Sequence, residues 1–161
     1  MEAFAEKSGL SLDYLKILRR EARSFIATPL KFAAIPGLDS EIVEKLAAEG
    51  IKHTKHLYPL IQTPADRAEF AARVGLPDDV VRELTSLTDL ARAGWVGSVF
   101  VRITYAAGIH SLAELAASDP TELLVRFKEV NAKHGFTKST ITMLDTNAIV
   151  SAAQEIPHTI E

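Results

Sequence analysis

Ile35-Pro36-Gly37-Leu38-Asp39, running through Val43, Leu46, Ala47 and Ala48 to Gly50-Ile51 and on to Leu57, is matched without gaps 58 residues later. The later copy runs from Ala93-Gly94-Trp95-Val96-Gly97 through Val101, Thr104, Tyr105 and Ala106 to Gly108-Ile109 and Leu115. A turn, a helix closed by Gly-Ile and a second short helix form the shared skeleton. Gly50 and Gly108 suit helix stops, because the residue after a helix commonly needs left-handed backbone angles. The second short helix of the later copy opens Ser111-Leu112-Ala113-Glu114, the pattern of a capping box. His53 occupies the place of Ser111 and is a poorer cap.

A second repeat overlaps the first. Phe4-Ala5-Glu6-Lys7-Ser8-Gly9-Leu10, then Asp13, Leu15 and Leu18, matches Phe70-Ala71-Ala72-Arg73-Val74-Gly75-Leu76, then Asp79, Val81 and Leu84, at an offset of 66. A weaker third copy runs from Val130 through Gly135-Phe136 to Ile141 and Leu144. Each reads as helix, Gly-apolar corner, helix. The layout of pair, hairpin, pair, hairpin, pair is that of stacked units, each too small to close its own core. We therefore expect an all-α fold of stacked helical pairs in a single domain, residues 1–161. Its repeat units fall at about 1–62 and 63–119, with C-terminal capping helices over 120–153 and a frayed tail over 154–161.

Local signals agree. Thr63-Pro64-Ala65-Asp66 and Asp119-Pro120-Thr121-Glu122 each place a cap residue before a proline at the first helical position. Pro77 followed by Asp78-Asp79 puts negative charge at the positive end of another helix. One segment dissents: Val99-Phe100-Val101-Arg102-Ile103-Thr104-Tyr105 is β-branched and aromatic enough to read as a strand. Its aligned partner, Glu41 to Ala47, has helical character, and a lone strand would have nothing to pair with, so we expect a helix there too.

Composition narrows the function classes. The 161 residues carry 18 Lys and Arg against 21 Asp and Glu, a formal charge of −3, which gives no general basic footprint for nucleic acid. A hydrophobic fraction of 47% with 24% charged residues is that of a folded globule. With no cysteine there is no disulfide, thiolate metal site or cysteine nucleophile, a pattern that suits the cytoplasm. No apolar run approaches the roughly 18–20 residues of a membrane span, so no membrane partner is expected.

The Ile35-Pro36-Gly37-Leu38 turn followed by Val43, Leu46, Ala47 and Gly50-Ile51 resembles the helix-hairpin-helix motif. From about residue 30 to 132 the chain resembles a bacterial family of unknown function that carries two such hairpins separated by a helical spacer. The phrases that carry the likeness are Gly50-Ile51 to Leu57, Thr63-Pro64-Ala65-Asp66-Arg67 with Gly75-Leu76, and Leu87-Thr88-Asp89-Leu90-Ala91-Arg92. They continue with Ala106-Ala107-Gly108-Ile109 and Leu115-Ala116, and the likeness ends at Glu129-Val130-Asn131.

The resemblance implies a phosphate-contacting turn, Gly-x-Gly, whose backbone N–H groups and following helix start face the nucleic-acid backbone. Carried onto this chain, the first hairpin keeps Gly37 but has Asp39 at the second glycine. The second has Trp95 at the first glycine and keeps Gly97, followed by Ser98. The residues that would contact phosphate are Gly37, Ser40 and Lys45 in the first hairpin and Gly97, Ser98 and Arg102 in the second. Asp39 reads first as the N-cap of the helix it precedes and only second as part of a site.

Other features have competing readings. Lys16, Arg19, Arg20 and Arg23 form either a phosphate-contacting stripe or a solvated helix face. Trp95, the single Trp, is a buried lid on the hairpin, an anchor for a protein partner, or a platform for a base. His53 and His56 have metal-ligand spacing but no third ligand nearby, and Asp78-Asp79 reads as a helix opening. No phosphate loop or nucleophile elbow occurs. The expected function is non-catalytic binding of DNA or RNA backbone without sequence specificity. The alternative is a protein-interaction scaffold that has lost it. Neither implies a cofactor or a metal.

Overall fold

The structure is a computed structural model that describes residues 2–16, 18, 27–94 and 96–160. Among the described residues the fold is all-α, with one isolated antiparallel bridge between Lys31 and His53. The helices are α1 (Glu2–Ser8), α2 (described over 12–16), α3 (Ser40–Ala48), α4 (Thr54–Leu57), α5 (Pro64–Val74) and α6 (Asp78–Leu90). They continue with α7 (Ser98–Ala106), α8 (Leu112–Ala116), α9 (Pro120–His134) and α10 (Met143–Gln154).

Helix ends follow local chemistry. Thr63 and Asp66 cap α5 reciprocally, each side chain reaching the other's backbone N–H. The Asp119 carboxylate accepts from Thr121 and Glu122 N–H at 2.8 and 3.0 Å, and these bonds hold it below the usual carboxylate range. Ser111 accepts from Glu114 N–H, but Glu114 reaches one residue further back than the capping-box pattern implies, to His110 N–H at 2.6 Å.

The stops coincide at the offsets seen in the sequence. Gly50 and Gly108 have φ +78° and +81°. Gly50 N–H bonds to Ala47 and Ile51 N–H to Leu46, as Gly108 N–H does to Tyr105 and Ile109 N–H to Thr104. At the other corners Gly9, Gly75 and Gly135 have φ between 65° and 69°, and each donates to the carbonyl four residues back.

The centre of the fold is α6, which buries Val81, Leu84, Leu87, Thr88 and Leu90 and touches α4, α5, α7 and α8. Around it one apolar cluster runs from Leu30 to Ala153. The strand-like segment is indeed helical, as α7. Val101, Ile103 and Thr104 are buried there, and Thr104 Oγ1 returns its proton to Phe100 O at 2.8 Å. Packing against α6 and α9 overrides the local β preference.

The two ends of the chain differ in their packing. Among the described residues of α1 and α2 none belongs to the apolar cluster: Leu15 is buried apart from it, and Phe4, Leu10, Tyr14 and Leu18 are exposed. The C-terminal tail makes long-range contacts. Pro157 O accepts from Arg92 Nη2 at 2.6 Å, the hydroxyls of Tyr58 and Thr159 stand 2.6 Å apart, and Ile156 and Ile160 pack against the core. Its anchors lie 65 and 101 residues away in sequence, so no local signal announced them.

Candidate nucleic-acid interface

The first hairpin turn is closed by Leu38 N–H to Ile35 O at 3.4 Å, with Pro36 and then Gly37 at the corner. Gly37 has φ +72°, the conformation that the third position of such a turn demands and that glycine adopts without strain. The chain then becomes extended at Asp39, whose carboxylate accepts from Glu41 N–H at 2.8 Å and caps α3. That N–H is among the donors a phosphate would use, so the helix start already holds a fixed anion of its own. Gly37, Ser40 and Lys45 are exposed. Lys45 lies in the last turn of α3, roughly 7 Å along the axis from Ser40 at 1.5 Å per residue.

The second turn differs. Gly97 is the N-cap of α7, with φ −86° and ψ 176° and no side-chain cap. Any residue adopts these angles, so glycine matters here only because it has no Cβ. A Cβ built at Gly97 would meet nothing within 4 Å, Gly97 is exposed and Ser98 half-buried. The N-cap of α7 thus supplies no side chain to the first-turn N–H groups. Trp95, at the other end of this turn, lies outside the described residues, as do Arg19, Arg20 and Arg23 of the basic run.

Arg102 stands elsewhere than expected. Its side chain is 8% exposed, and its Nη1 donates to Glu83 Oε1 on α6 at 2.6 Å. Its guanidinium carbon lies 5.6 Å from the Tyr105 ring centroid. A Cβ at Gly37 would be 3.9 Å from Arg102 Nε and 4.0 Å from Phe136, so the first hairpin turn sits on the guanidinium of the second hairpin's helix. Nε and Nη2 are buried there with no acceptor among the described residues. Arg102 thus ties α7 to α6 and lies beside the Gly37 turn inside the fold. Nothing in the sequence links it to Glu83, 19 residues earlier on another helix.

Sequence reading also missed Asp89. It is 6% exposed, pairs with Arg92 at 2.8 Å and accepts from Leu112 N–H at 2.8 Å, so it fixes the start of α8 on α6. Only the i, i+3 spacing of Asp89 and Arg92 hinted at it. Lys16 of the basic run pairs with Asp13 at 3.1 Å, with both side chains exposed. The His53 and His56 rings lie with centroids 3.6 Å apart and planes tilted by 33°, and no group of three or more metal-ligating side chains is found among the described residues. Burial, then the neighbouring His56, holds the His53 imidazole below its ordinary value.

The profile of a protein family, the domain of unknown function DUF4332, matches residues 36–156. The chain belongs to the DUF4332 family. The match spans both turns and continues through α9 and α10, beyond the expected end of the likeness near Asn131. Residues 1–35, with α1 and α2, precede the DUF4332 match. No curated protein and no solved structure matches the chain. No described helix is long and apolar enough to cross a membrane.

Proposed function

We propose that this DUF4332 protein is a non-catalytic, cytoplasmic binding protein that contacts the backbone of DNA or RNA without sequence specificity. The contact is made by the second of two degenerate helix-hairpin-helix units. The observation that carries this reading is the start of α7, where Gly97 supplies no capping side chain and a Cβ built there would meet nothing within 4 Å among the described residues. Such a start favours a phosphate through its donors and its dipole. Support for the paired-hairpin reading comes from the matching glycine stops and hydrogen bonds 58 residues apart. The first hairpin is silent in this scheme, because the Asp39 carboxylate holds the helix start and repels a second anion.

A protein-interaction scaffold is the second reading, favoured by that same closed turn and by the exposed Phe4, Leu10, Tyr14 and Leu18. Fluorescence anisotropy with labelled single- and double-stranded DNA and RNA separates the two. Backbone binding requires affinity at low salt that falls steeply as salt rises and is lost in Gly97→Asp. A flat titration at low salt removes the nucleic-acid reading and leaves the scaffold.

A further inference from the structure

Between α5, α6 and the corner from α7 to α8 lies a cavity of about 560 Å³, within the range of small-molecule sites. Two carboxylates and two guanidiniums line it. Asp89 is on the wall but already carries Arg92 and the Leu112 N–H. Asp79, in the first turn of α6, is the other carboxylate. Against them stand Arg67 from α5 and Arg82 from α6, which also line an adjoining cleft of about 230 Å³ and so share the α5–α6 groove. Arg67 gives one Nη1 proton to Ile61 O at 3.2 Å and keeps further donors, and Arg82 is exposed.

Two aromatic rings also line the cavity. Tyr105 and His110 meet edge to face with centroids 4.9 Å apart, and Ile160 from the held tail adds an apolar side chain. Guanidinium pairs recognise phosphate through directional, charge-assisted bonds, and an aromatic and aliphatic wall accepts a flat ring. We propose that this cavity binds a small phosphorylated molecule carrying a flat ring, with Arg67 and Arg82 on the phosphate and Tyr105, His110 and Ile160 around the ring. The proposal shares no residue with the Gly97 turn and stands or falls without it.

Calorimetric titration of the full chain with adenosine monophosphate, adenosine and inorganic phosphate tests it. We expect saturable binding of the monophosphate, with adenosine and phosphate each at least ~10-fold weaker. Arg82→Ala, at an exposed position, should weaken the monophosphate ~10-fold while leaving the thermal midpoint unchanged, and Gly97→Asp should leave it alone. Absence of binding at millimolar monophosphate overturns the proposal, as does inorganic phosphate binding equally well, or Arg82→Ala binding unchanged. Competition by a 5′-phosphorylated oligonucleotide, but not its 5′-hydroxyl twin, would support the site with a strand end as the source. Failure of both oligonucleotides to compete would support it with a free nucleotide as the source.

Discussion

The helices α3 and α7 hold equivalent places 58 residues apart and end with the same hydrogen bonds, yet they live in different surroundings. In α3 only Leu46 is buried, and the helix start is closed by Asp39. In α7 four consecutive residues from Val101 to Thr104 are buried, and the start is open at Gly97. Lys45, the basic residue expected to serve the first hairpin, is exposed, whereas Arg102 in the second is locked to Glu83. The start of α3 carries the Asp39 carboxylate, whereas the start of α7 has no N-cap side chain and Arg102 ties that helix to α6.

The largest test of that contrast is charge removal. Arg102→Ala leaves Glu83 without its partner and should cost about 3 kcal/mol, while Lys45→Ala should stay within about 0.5 kcal/mol. Chemical denaturation reads both, and equal effects would show that the two hairpins use their cations alike. The glycine stops make the opposite forecast. Gly50→Ala and Gly108→Ala should each cost about 1.5 kcal/mol, because both backbones are left-handed. A Cβ meets nothing within 4 Å at Gly50 and only the flexible end of Arg126 at 3.5 Å at Gly108, so the two losses should match.

Asp39→Ala should cost about 1 kcal/mol by removing the α3 cap. Under the backbone-binding reading it should also raise low-salt duplex affinity, since a fixed negative charge leaves the first turn. Unchanged affinity would mean that this turn is closed by more than its carboxylate.

The smallest effect concerns the short helices. His53 and Ser111 have the same backbone angles within a few degrees, φ −150° and −145°, but only Ser111 caps its helix. His53→Ser should gain about 0.5 kcal/mol. It should also remove a pH dependence. The His53 imidazole sits below its ordinary value of 6.5, so the unfolded chain takes up the proton first. Stability is then full above pH 6.5 and declines as pH falls below it towards the lower folded value, until both states are protonated. Thermal midpoints between pH 7.5 and 5.5 should fall more steeply in the parent than in the variant.

What the sequence by itself determined about this protein is what a few neighbouring residues decide. Caps and stops act within about four residues, so Thr63, Asp119, Gly50, Gly75, Gly108 and Gly135 could be read as helix ends, and the gapless match of 35–57 with 93–115 supplied the 58-residue offset. The helical state of Val99–Tyr105 was legible only through that offset, because its own composition pointed to a strand. Of the candidate interface, the Asp39 cap was legible for the same local reason, whereas the places of Asp39 and Gly97 in a phosphate turn were implied only by the resemblance. Tertiary structure alone decided which helix is central, that Arg102 turns inward to Glu83, that Asp89 seats α8, and that the tail returns to Tyr58 and Arg92. Those contacts join residues 19 to 101 apart, and their partners are fixed by how the helices stack. An arginine at one helical position serves equally as a surface cation or an internal tie, and the neighbour across the helix interface chooses between them.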